Sequence, residues 1–432
     1  MSEQAMVQSR GVVKNPNKVF KMIEHVFETN MRLVKEGKKD QKMVLCIWGQ
    51  AGLCKTSLIK QSKQRGLKVN GELVHPEVVH VALAQIEESG DISGLPVTDV
   101  DSTGRTITHY APPVWWPTKE KYGDKPGILL IDDFNRADPR ILKAIMQLLQ
   151  DHKTNVEELP DNWVIALTGN PTSDGDTEYM VNEIDKAILT RMLHVTLKFD
   201  KIDWAIWANQ NGIDDRVITW GLAYPELIDG LKGERTNPRS VVQFAHLIKG
   251  IKNLKASEEE SGIVSMCSNS TLDQEPANSF MKFAIGEFSK LVDPEEILNN
   301  WDTAEKKLDA LKNKTNKASS EATDEEEKDS KDSDGKKKKT TTSTSKLRAD
   351  LMGITADRLY VYIMNPDVTL EEKQFKNFIS FIKRDDLIRP DMMYTLLRRL
   401  RRDATTPKQQ KMFADMIRFG GTEIADKVMQ IA

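Results

Sequence analysis

The chain has 432 residues, of which 39% are hydrophobic and 29% are charged, and its formal net charge is −3. That length allows two or three domains, and the slightly negative charge argues against a globally basic nucleic-acid-binding protein while leaving room for a local basic patch. The three cysteines are odd in number and widely spaced, which fits a reducing cytosol and neither a disulfide framework nor a zinc site. The polar residues 1–14 and the absence of a long apolar run predict a soluble, cytoplasmic protein without signal peptide or transmembrane helix.

Hydrophobic periodicity in the first half of the chain predicts strands that alternate with helices. Apolar residues at helical spacing predict a helix over Asn17–Val34, with Asn17 as its cap. This alternation is typical of a parallel α/β sheet, here one of five strands. The remaining predicted elements are the strands Met43–Trp48, Val78–Leu83, Gly127–Ile131, Trp163–Leu167 and His194–Leu197, and the helices Lys55–Arg65 and Pro139–Gln150.

The character of the sequence changes three times and predicts four segments. Residues 1–200 form the α/β core, and 201–300 show helical patterns typical of an all-α lid. Residues 301–346 are rich in Lys, Asp, Glu, Ser and Thr and are predicted to be a disordered linker. Its run Lys336–Lys339 could contact nucleic acid or act in targeting, but acidic residues nearly balance it. Residues 347–432 regain apolar periodicity and predict a small helical module.

The segment Ile47–Thr56 has the layout of a phosphate-binding loop: a strand, a glycine turn and a Lys-Thr pair that opens a helix. In such a loop the backbone N–H groups surround phosphates, Lys55 reaches the β- and γ-phosphates, and the Thr56 hydroxyl can ligate Mg²⁺. The common pattern G-x-x-x-x-G-K-[ST] has glycine where this chain has Cys54. The residues predicted to bind the phosphates of a nucleotide are Gly49, Gln50, Ala51, Gly52, Leu53, Cys54, Lys55, Thr56 and Ser57.

A pair of acids ends the third predicted strand, at Asp132 and Asp133. A carboxylate at the carboxyl edge of the sheet lies beside the phosphate loop, so Asp132 and Thr56 are the predicted Mg²⁺ residues. Asp133 is positioned to polarise an attacking water. A strand that merely ends in a polar turn is the alternative, and the preceding phosphate loop disfavours it.

Three more polar residues follow in order. Asn170 comes after the fourth strand, where its amide could orient water near the γ-phosphate or simply belong to an Asn-Pro turn. Arg191 precedes the fifth strand and could be a surface charge. Arg239 lies in the first turn of a predicted helix, where a cation is unfavourable for the helix dipole, and this placement suggests contact with the γ-phosphate.

Together these motifs resemble the AAA+ ATPase superfamily, and within it the MoxR-like group related to the dynein/midasin branch. The resemblance covers roughly residues 15–255 and rests on G-x-x-G-L-x-K-T, D-[DE]-x-N-R-A, G-N-P and the P-R pair of the lid. Relatives usually have Gly or a small residue such as Ala at the position of Cys54, and Cys is small enough to be tolerated there. They usually have Glu at the position of Asp133, and the shorter aspartate is expected to affect the turnover rate but not nucleotide binding. The resemblance implies these roles: Walker A for Lys55 and Thr56, Walker B for Asp132 and Asp133, sensor 1 for Asn170, arginine finger for Arg191, acting in trans, and sensor 2 for Arg239.

The resemblance implies a Mg²⁺-dependent, ATP-hydrolysing homo-oligomer, expected to be a hexameric ring that remodels proteins, with a separate von Willebrand factor A domain protein as a candidate partner. Leu95 and the 98–108 loop are candidate pore residues. The pair Trp115 and Trp116 could grip a polypeptide, although packing onto the sheet is favoured. One alternative is a DNA-linked ATPase using the basic stripe in Leu396–Arg402, although a solvated face is favoured. Another is a nucleotide-gated scaffold with low turnover.

Overall fold

A computed structural model of the chain describes residues 11–155, 157–171, 181–182, 184–231, 233–310, 343–404 and 406–430. The chain divides into two compact units. The first extends to Asp200 and includes Asp229–Leu231 and Asn237–Arg239, and the second contains the rest of the chain.

The first unit is built on a parallel sheet. Within the described residues the sheet has six strands in the order β1-β10-β2-β9-β8-β5, and every neighbouring pair is parallel. The predicted parallel α/β fold is confirmed, and all five predicted strands lie in this sheet. The edge strand β1 was not predicted because three residues are too few to show a period. The strands are β1 (Val12–Lys14), β2 (Val44–Trp48), β3 (Leu67–Val69), β4 (Glu72–Val74), β5 (Glu77–Ala82), β6 (Leu95–Val100), β7 (Thr106–Ala111), β8 (Gly127–Asp132), β9 (Trp163–Gly169) and β10 (Met192–Leu197).

Helices connect these strands, and the first of them begins earlier than predicted. Its cap is Asn15, whose Oδ1 accepts a hydrogen bond from the backbone N of Lys18 at 3.2 Å. Pro16 occupies the first helical position, where its missing N–H costs nothing, so the predicted cap at Asn17 is wrong. The helices of this unit are α1 (Pro16–Lys35), α2 (Lys55–Arg65), α3 (Gly90–Ser93), α4 (Lys119–Tyr122), α5 (Pro139–Asp151) and α6 (Lys186–Leu189).

Both faces of the sheet are covered, so polar side chains can gather only at its edges. All residues of β2 and β9 are buried. Side chains alternate between faces along a strand, so Cys46 and Trp48 pack on the side of α5, whereas Leu45 and Ile47 pack on the side of α1 and α2. The polar residues that follow the strands therefore gather at the carboxyl edge of the sheet.

A buried histidine makes the stability of this unit depend on pH. His152 is 4% exposed, and burial, together with the charge of Lys42, lowers the pKa of His152 from 6.5 to about 4. The folded state thus favours the neutral ring, and the stability it contributes is complete above pH 6.5 and is lost as the pH falls toward 4. The loss is about 3 kcal/mol at most.

We expect the urea midpoint of unfolding to fall steeply between pH 6.5 and pH 4, and we expect His152→Asn to flatten this dependence. Asparagine suits the left-handed backbone at this position, where φ is 54°. The exposed His75 provides the control, because His75→Asn should keep the wild-type slope. An unchanged slope in His152→Asn would contradict the assignment.

The second unit is helical, and its C-terminal helices form ion pairs with helices of the predicted lid. Lys201 Nζ lies 2.7 Å from Asp357 Oδ2, and the buried Arg358 lies 2.6 Å from Asp215 Oδ2. Helices on both sides of the predicted linker therefore belong to one compact unit. The helices are α7 (Lys201–Gln210), α8 (Asp215–Ala223), α9 (Pro238–Ile248, whose first two residues belong to the first unit), α10 (Leu254–Ser261), α11 (Ile263–Thr271), α12 (Gln274–Gly286), α13 (Pro294–Asn299), α14 (301–310), α15 (Ser343–Ile363), α16 (Glu372–Ile382), α17 (Pro390–Asp403) and α18 (Pro407–Gln430).

Both ends of the predicted linker are helical in the structure. Residues 301–310 are helical, with Ala304 and Leu308 fully buried, and α15 begins at Ser343. The remaining part of the prediction, 311–342, lies outside the described residues. Among the residues that the structure describes, no helix is both long enough and apolar enough to cross a bilayer.

Candidate functional site

The phosphate loop joins β2 to α2 at the carboxyl edge of the sheet. Gly49–Cys54 form the loop, and Lys55–Ser57 are the first residues of α2. The nine predicted residues are therefore a loop followed directly by the first turn of a helix. Cys54 has φ 59° and ψ 29°, the left-handed region that explains why glycine is common at this position. Since one such residue costs on the order of 1–2 kcal/mol, the departure from the pattern is accommodated without changing the layout of the loop.

The position of Gly52 favours glycine, because its backbone is left-handed and the Asn237 side chain lies close to it. Its φ is 80°, and a Cβ at this position would lie 2.3 Å from Oδ1 of Asn237. The same Oδ1 accepts the backbone N–H of Arg239 at 3.0 Å. The segment Asn237–Arg239 thus packs directly onto the phosphate loop.

The amino end of α2 is suited to an anion. Its first turn, Lys55–Ser57, contains no acidic side chain, and no side chain of the described residues caps it. The helix has 11 residues, long enough to present the positive end of its dipole and several backbone N–H groups to the loop.

Lys55 is a buried cation whose hydrogen bonds all go to neutral acceptors. It is 5% exposed, and Nζ donates to Gly49 O at 2.7 Å, to Gln50 O at 3.0 Å and to Asn170 Oδ1 at 2.9 Å. Burial lowers the pKa of Lys55 to about 8, against the opposing charges of Asp133 and Asp132. A phosphate in the loop would supply the counter-charge that this ammonium lacks.

The carboxylate of Asp132 receives hydrogen bonds on both oxygens. Oδ1 accepts from Thr56 Oγ1 at 2.7 Å and from Thr168 Oγ1, and Oδ2 lies 2.9 Å from His80 Nε2. Burial opposes ionisation, but the hydrogen bonds from Thr168, Thr56 and His80 outweigh it and hold the pKa of Asp132 below its ordinary value. This side chain is therefore a fixed anion at neutral pH.

The oxygens of Thr56 and Asp132 fit Mg²⁺. They are hard donors held 2.7 Å apart beside the loop, and Mg²⁺ binds through one or two carboxylates together with substrate phosphates. Among the described residues no group of three or more His, Cys, Asp or Glu could hold a metal ion. These residues fit a metal that arrives with a phosphate ligand.

Asp133 and Asn170 form a second hydrogen-bonded pair. Asp133 has φ 49°, its backbone N donates to Thr168 Oγ1 at 3.0 Å, and its Oδ1 accepts from Asn170 Nδ2 at 2.9 Å. Asn170 thus bridges Lys55 and Asp133 through the two ends of one amide.

Arg191 lies away from this cluster. It directly precedes β10, whose first residue Met192 pairs with Val44 at the start of β2, so Arg191 is at the amino edge of the sheet. Its guanidinium donates to Gln150 Oε1 from Nη2 at 2.7 Å and from Nε at 3.1 Å, and Nη1 donates to Ala187 O. The structure therefore does not bring Arg191 to the phosphate loop of its own chain.

Arg239 belongs to the loop environment. Its side chain is exposed, and its charge adds to burial and to the charge of Arg136 in lowering the pKa of Lys55. Of the predicted catalytic residues, the structure brings Asp133, Asn170 and Arg239 near the loop and leaves Arg191 apart.

Three polar residues of the site were not singled out in the sequence. His80 on β5 and Thr168 on β9 contact Asp132. The fully buried Asn135 clamps the backbone of Asn170, donating from Nδ2 to its O at 2.7 Å and accepting its N–H at 3.0 Å. A sequence signal existed only for Asn135, which lies inside the D-D-F-N-R-A motif.

The tryptophan pair packs onto the sheet, as favoured from the sequence. Trp116 is 1% exposed within the core, and the half-buried Trp115 donates Nε1 to Asp91 O at 3.1 Å. The candidate pore residues Leu95 and 98–108 lie on the β6–β7 hairpin, in which every residue of β6 is exposed. Their role stays a prediction.

Comparisons with known proteins give structural similarity only. No protein-family model matches the chain, and no curated protein matches its sequence. A closed-state structure of Hsp104 with ATPγS and FITC casein is 16% identical over 56% of this chain, with a TM-score of 0.33, and the match spans 48% of the Hsp104 chain.

Two other solved structures are similar over a larger share of the chain. A Cytophaga hutchinsonii protein described as an ATPase matches 60% of this chain and 65% of its own, with 11% identity and a TM-score of 0.29. PCH-2 of C. elegans matches 67% of this chain and 73% of its own, with 13% identity and a TM-score of 0.28. What this chain does is therefore inferred from its own residues.

Proposed function

We propose that the chain is a Mg²⁺-dependent ATPase of the AAA+ type. The observation that carries the proposal is the convergence of Lys55, Asn170, Asp132 and Asp133 at one edge of a parallel sheet, directly beside an uncapped helix terminus. Each residue type fits one task in phosphoryl transfer.

The loop residues and α2 hold the phosphates of ATP, and Lys55 exchanges its carbonyl acceptors for phosphate oxygens. Thr56 and Asp132 are the residues that would hold Mg²⁺, which when bound neutralises charge on the phosphates. Asp133 and Asn170 orient and polarise the attacking water from the hydrogen-bonded pair they already form. Arg239 adds positive charge beside the γ-phosphate.

The larger assembly belongs to the same proposal. Arg191 is held at the amino edge of the sheet by Gln150, a placement that supports a role at the nucleotide of a neighbouring subunit. We infer a homo-oligomeric ring, with six subunits as in the MoxR-like resemblance, that remodels proteins. Its substrate would be a protein, and a von Willebrand factor A domain protein is a candidate partner.

The DNA-linked alternative has less support. In the proposed basic stripe, Arg399 Nη1 lies 2.6 Å from Asp357 Oδ1, and Arg402 Nε lies 2.6 Å from Asp403 Oδ1. Two of the four arginines thus already pair with acids of the same unit. The low-turnover scaffold has no support beyond Asp133 itself, whose carboxylate is held by Asn170.

The test is steady-state ATP hydrolysis per subunit over a range of protein concentrations. We expect the rate per subunit to rise with concentration, because a site completed by a neighbour works only after assembly. Lys55→Ala should reduce it roughly 10²-fold or more, as expected for loss of a buried charge that binds the transferred group. Lys63→Ala on the exposed side of α2 is the matched control. Hydrolysis that survives in Lys55→Ala would exclude this site.

A further inference from the structure

Asp132 is held from both neighbouring strands. It ends β8, which lies between β9 and β5 in the sheet. Thr168 reaches its Oδ1 from β9, and His80 reaches its Oδ2 from β5. Two side chains thus approach one carboxylate from opposite sides, and Thr56 adds the third contact from the phosphate loop.

The ring of His80 has a defined orientation and tautomer. Lys60 Nζ lies 3.2 Å from His80 Nδ1. Because an ammonium group only donates hydrogen bonds, Nδ1 must accept, and the neutral ring then carries its proton on Nε2. His80 Nε2 therefore donates to Asp132 Oδ2, and Lys60 fixes this arrangement from α2.

The hydroxyl of Thr168 serves both acids of the site. It is fully buried, donates to Asp132 Oδ1 and accepts the backbone N–H of Asp133 at 3.0 Å. A hydroxyl has one proton, so accepting from Asp133 leaves that proton for Asp132. One side chain thereby sets the carboxylate of the first acid and the backbone of the second.

We propose that His80 and Thr168 are positioning residues that fix the Asp132 carboxylate for Mg²⁺-nucleotide. The proposal rests on the proposed function and deepens it. Mg²⁺ demands near-ideal octahedral geometry, so a carboxylate free to rotate would hold the ion and its waters less well. Partners that orient a metal-binding side chain commonly contribute roughly 10–100-fold to metal affinity.

The experiment measures ADP affinity by calorimetry, once with Mg²⁺ and once with EDTA, and takes the ratio of the two dissociation constants as the Mg²⁺ factor. His80→Leu and Thr168→Val remove the donors, while His80→Gln and Thr168→Ser retain one. Asp132→Asn sets the lower limit of the factor. The matched controls are the exposed His75→Leu and Thr219→Val, since the buried Thr219 hydroxyl has no hydrogen-bond partner in the described structure.

We expect His80→Leu and Thr168→Val to reduce the Mg²⁺ factor roughly tenfold, toward that of Asp132→Asn. Affinity in EDTA should stay within about twofold of the wild type, because these residues do not touch the phosphate cradle. His80→Gln and Thr168→Ser should recover most of the factor. The same variants should raise the Mg²⁺ concentration that half-saturates ATP hydrolysis.

Several results would overturn the proposal. One is a wild-type Mg²⁺ factor in both donor-removing variants, and another is an equal loss in His80→Gln and His80→Leu. A loss that appears equally in EDTA would indicate a general structural role. If buried Thr168→Val does not fold, the partly exposed His80 pair decides the outcome. If the wild-type chain binds no ADP under either condition, the proposed nucleotide site fails as well, which separates the two failures.

Discussion

Asp133→Asn is expected to abolish ATP hydrolysis while ATP remains bound. Its Oδ1 accepts a hydrogen bond from Asn170 Nδ2 at 2.9 Å, and in the proposed mechanism the carboxylate polarises the attacking water and accepts its proton. Removing a general base of this kind typically lowers the rate roughly 10²–10⁴-fold. The phosphate cradle and Lys55 are unchanged in this variant, so the affinity for ATP should stay close to that of the wild type.

The measurement pairs a single-turnover rate with the dissociation constant for ATP. Asp133→Glu retains the charge one methylene further from the backbone and should keep much more activity than Asp133→Asn. The exposed Asp124→Asn provides a matched control, because its carboxylate forms a loose ion pair with Lys119 at 3.6 Å on the surface. Near-wild-type hydrolysis by Asp133→Asn would show that this carboxylate does not polarise the water.

Much of the sheet could be predicted because its strands are buried on both faces. β2 and β8 consist of consecutive apolar residues bounded by turns, which a period-based argument detects directly. Because neighbouring parallel strands end at the same edge of a sheet, the acids at the end of β8 and the Lys-Thr pair at the start of α2 could be predicted to lie close together. Local sequence therefore located the turn between β2 and α2 and the acid at the end of β8.

The contacts across strands could not be predicted in this way. His80 lies in the middle of β5, where its sequence context is that of any half-exposed strand residue. Only the order β9-β8-β5 places it and Thr168 on either side of Asp132. Strand order depends on long-range pairing, which a single sequence does not reveal by its periodicity.

In the helical unit, too, long-range contacts could not be predicted from the sequence. The charged composition after Trp301 predicts a linker, yet Arg384, in the turn after α16, lies 2.7 Å from Asp309 and also contacts Glu305. These charges pair with a helix more than 70 residues away. Composition alone treats them as solvated, because it carries no information about distant partners.

Arg191→Ala is expected to reduce hydrolysis roughly 10³-fold or more, the range for an arginine that stabilises transition-state charge in trans. The register of β10 on β2 places Arg191 level with Met43, about six residues or roughly 20 Å along β2 from the loop of its own chain. Binding of ATP to the variant should therefore be nearly unchanged. The exposed Arg140→Ala, on α5, is the matched control.

Mixing subunits distinguishes a trans role from local structural damage. Arg191→Ala subunits keep a complete phosphate loop, and Lys55→Ala subunits keep Arg191, so each alone should be inactive. In mixed rings an intact loop meets an intact arginine wherever the two kinds adjoin in the right order, and we expect hydrolysis to return to a substantial fraction of the wild-type rate. Mixtures no more active than their components would contradict the trans assignment. That result would mean that Arg191 acts within its own chain or on assembly itself, because a neighbouring subunit cannot supply either role.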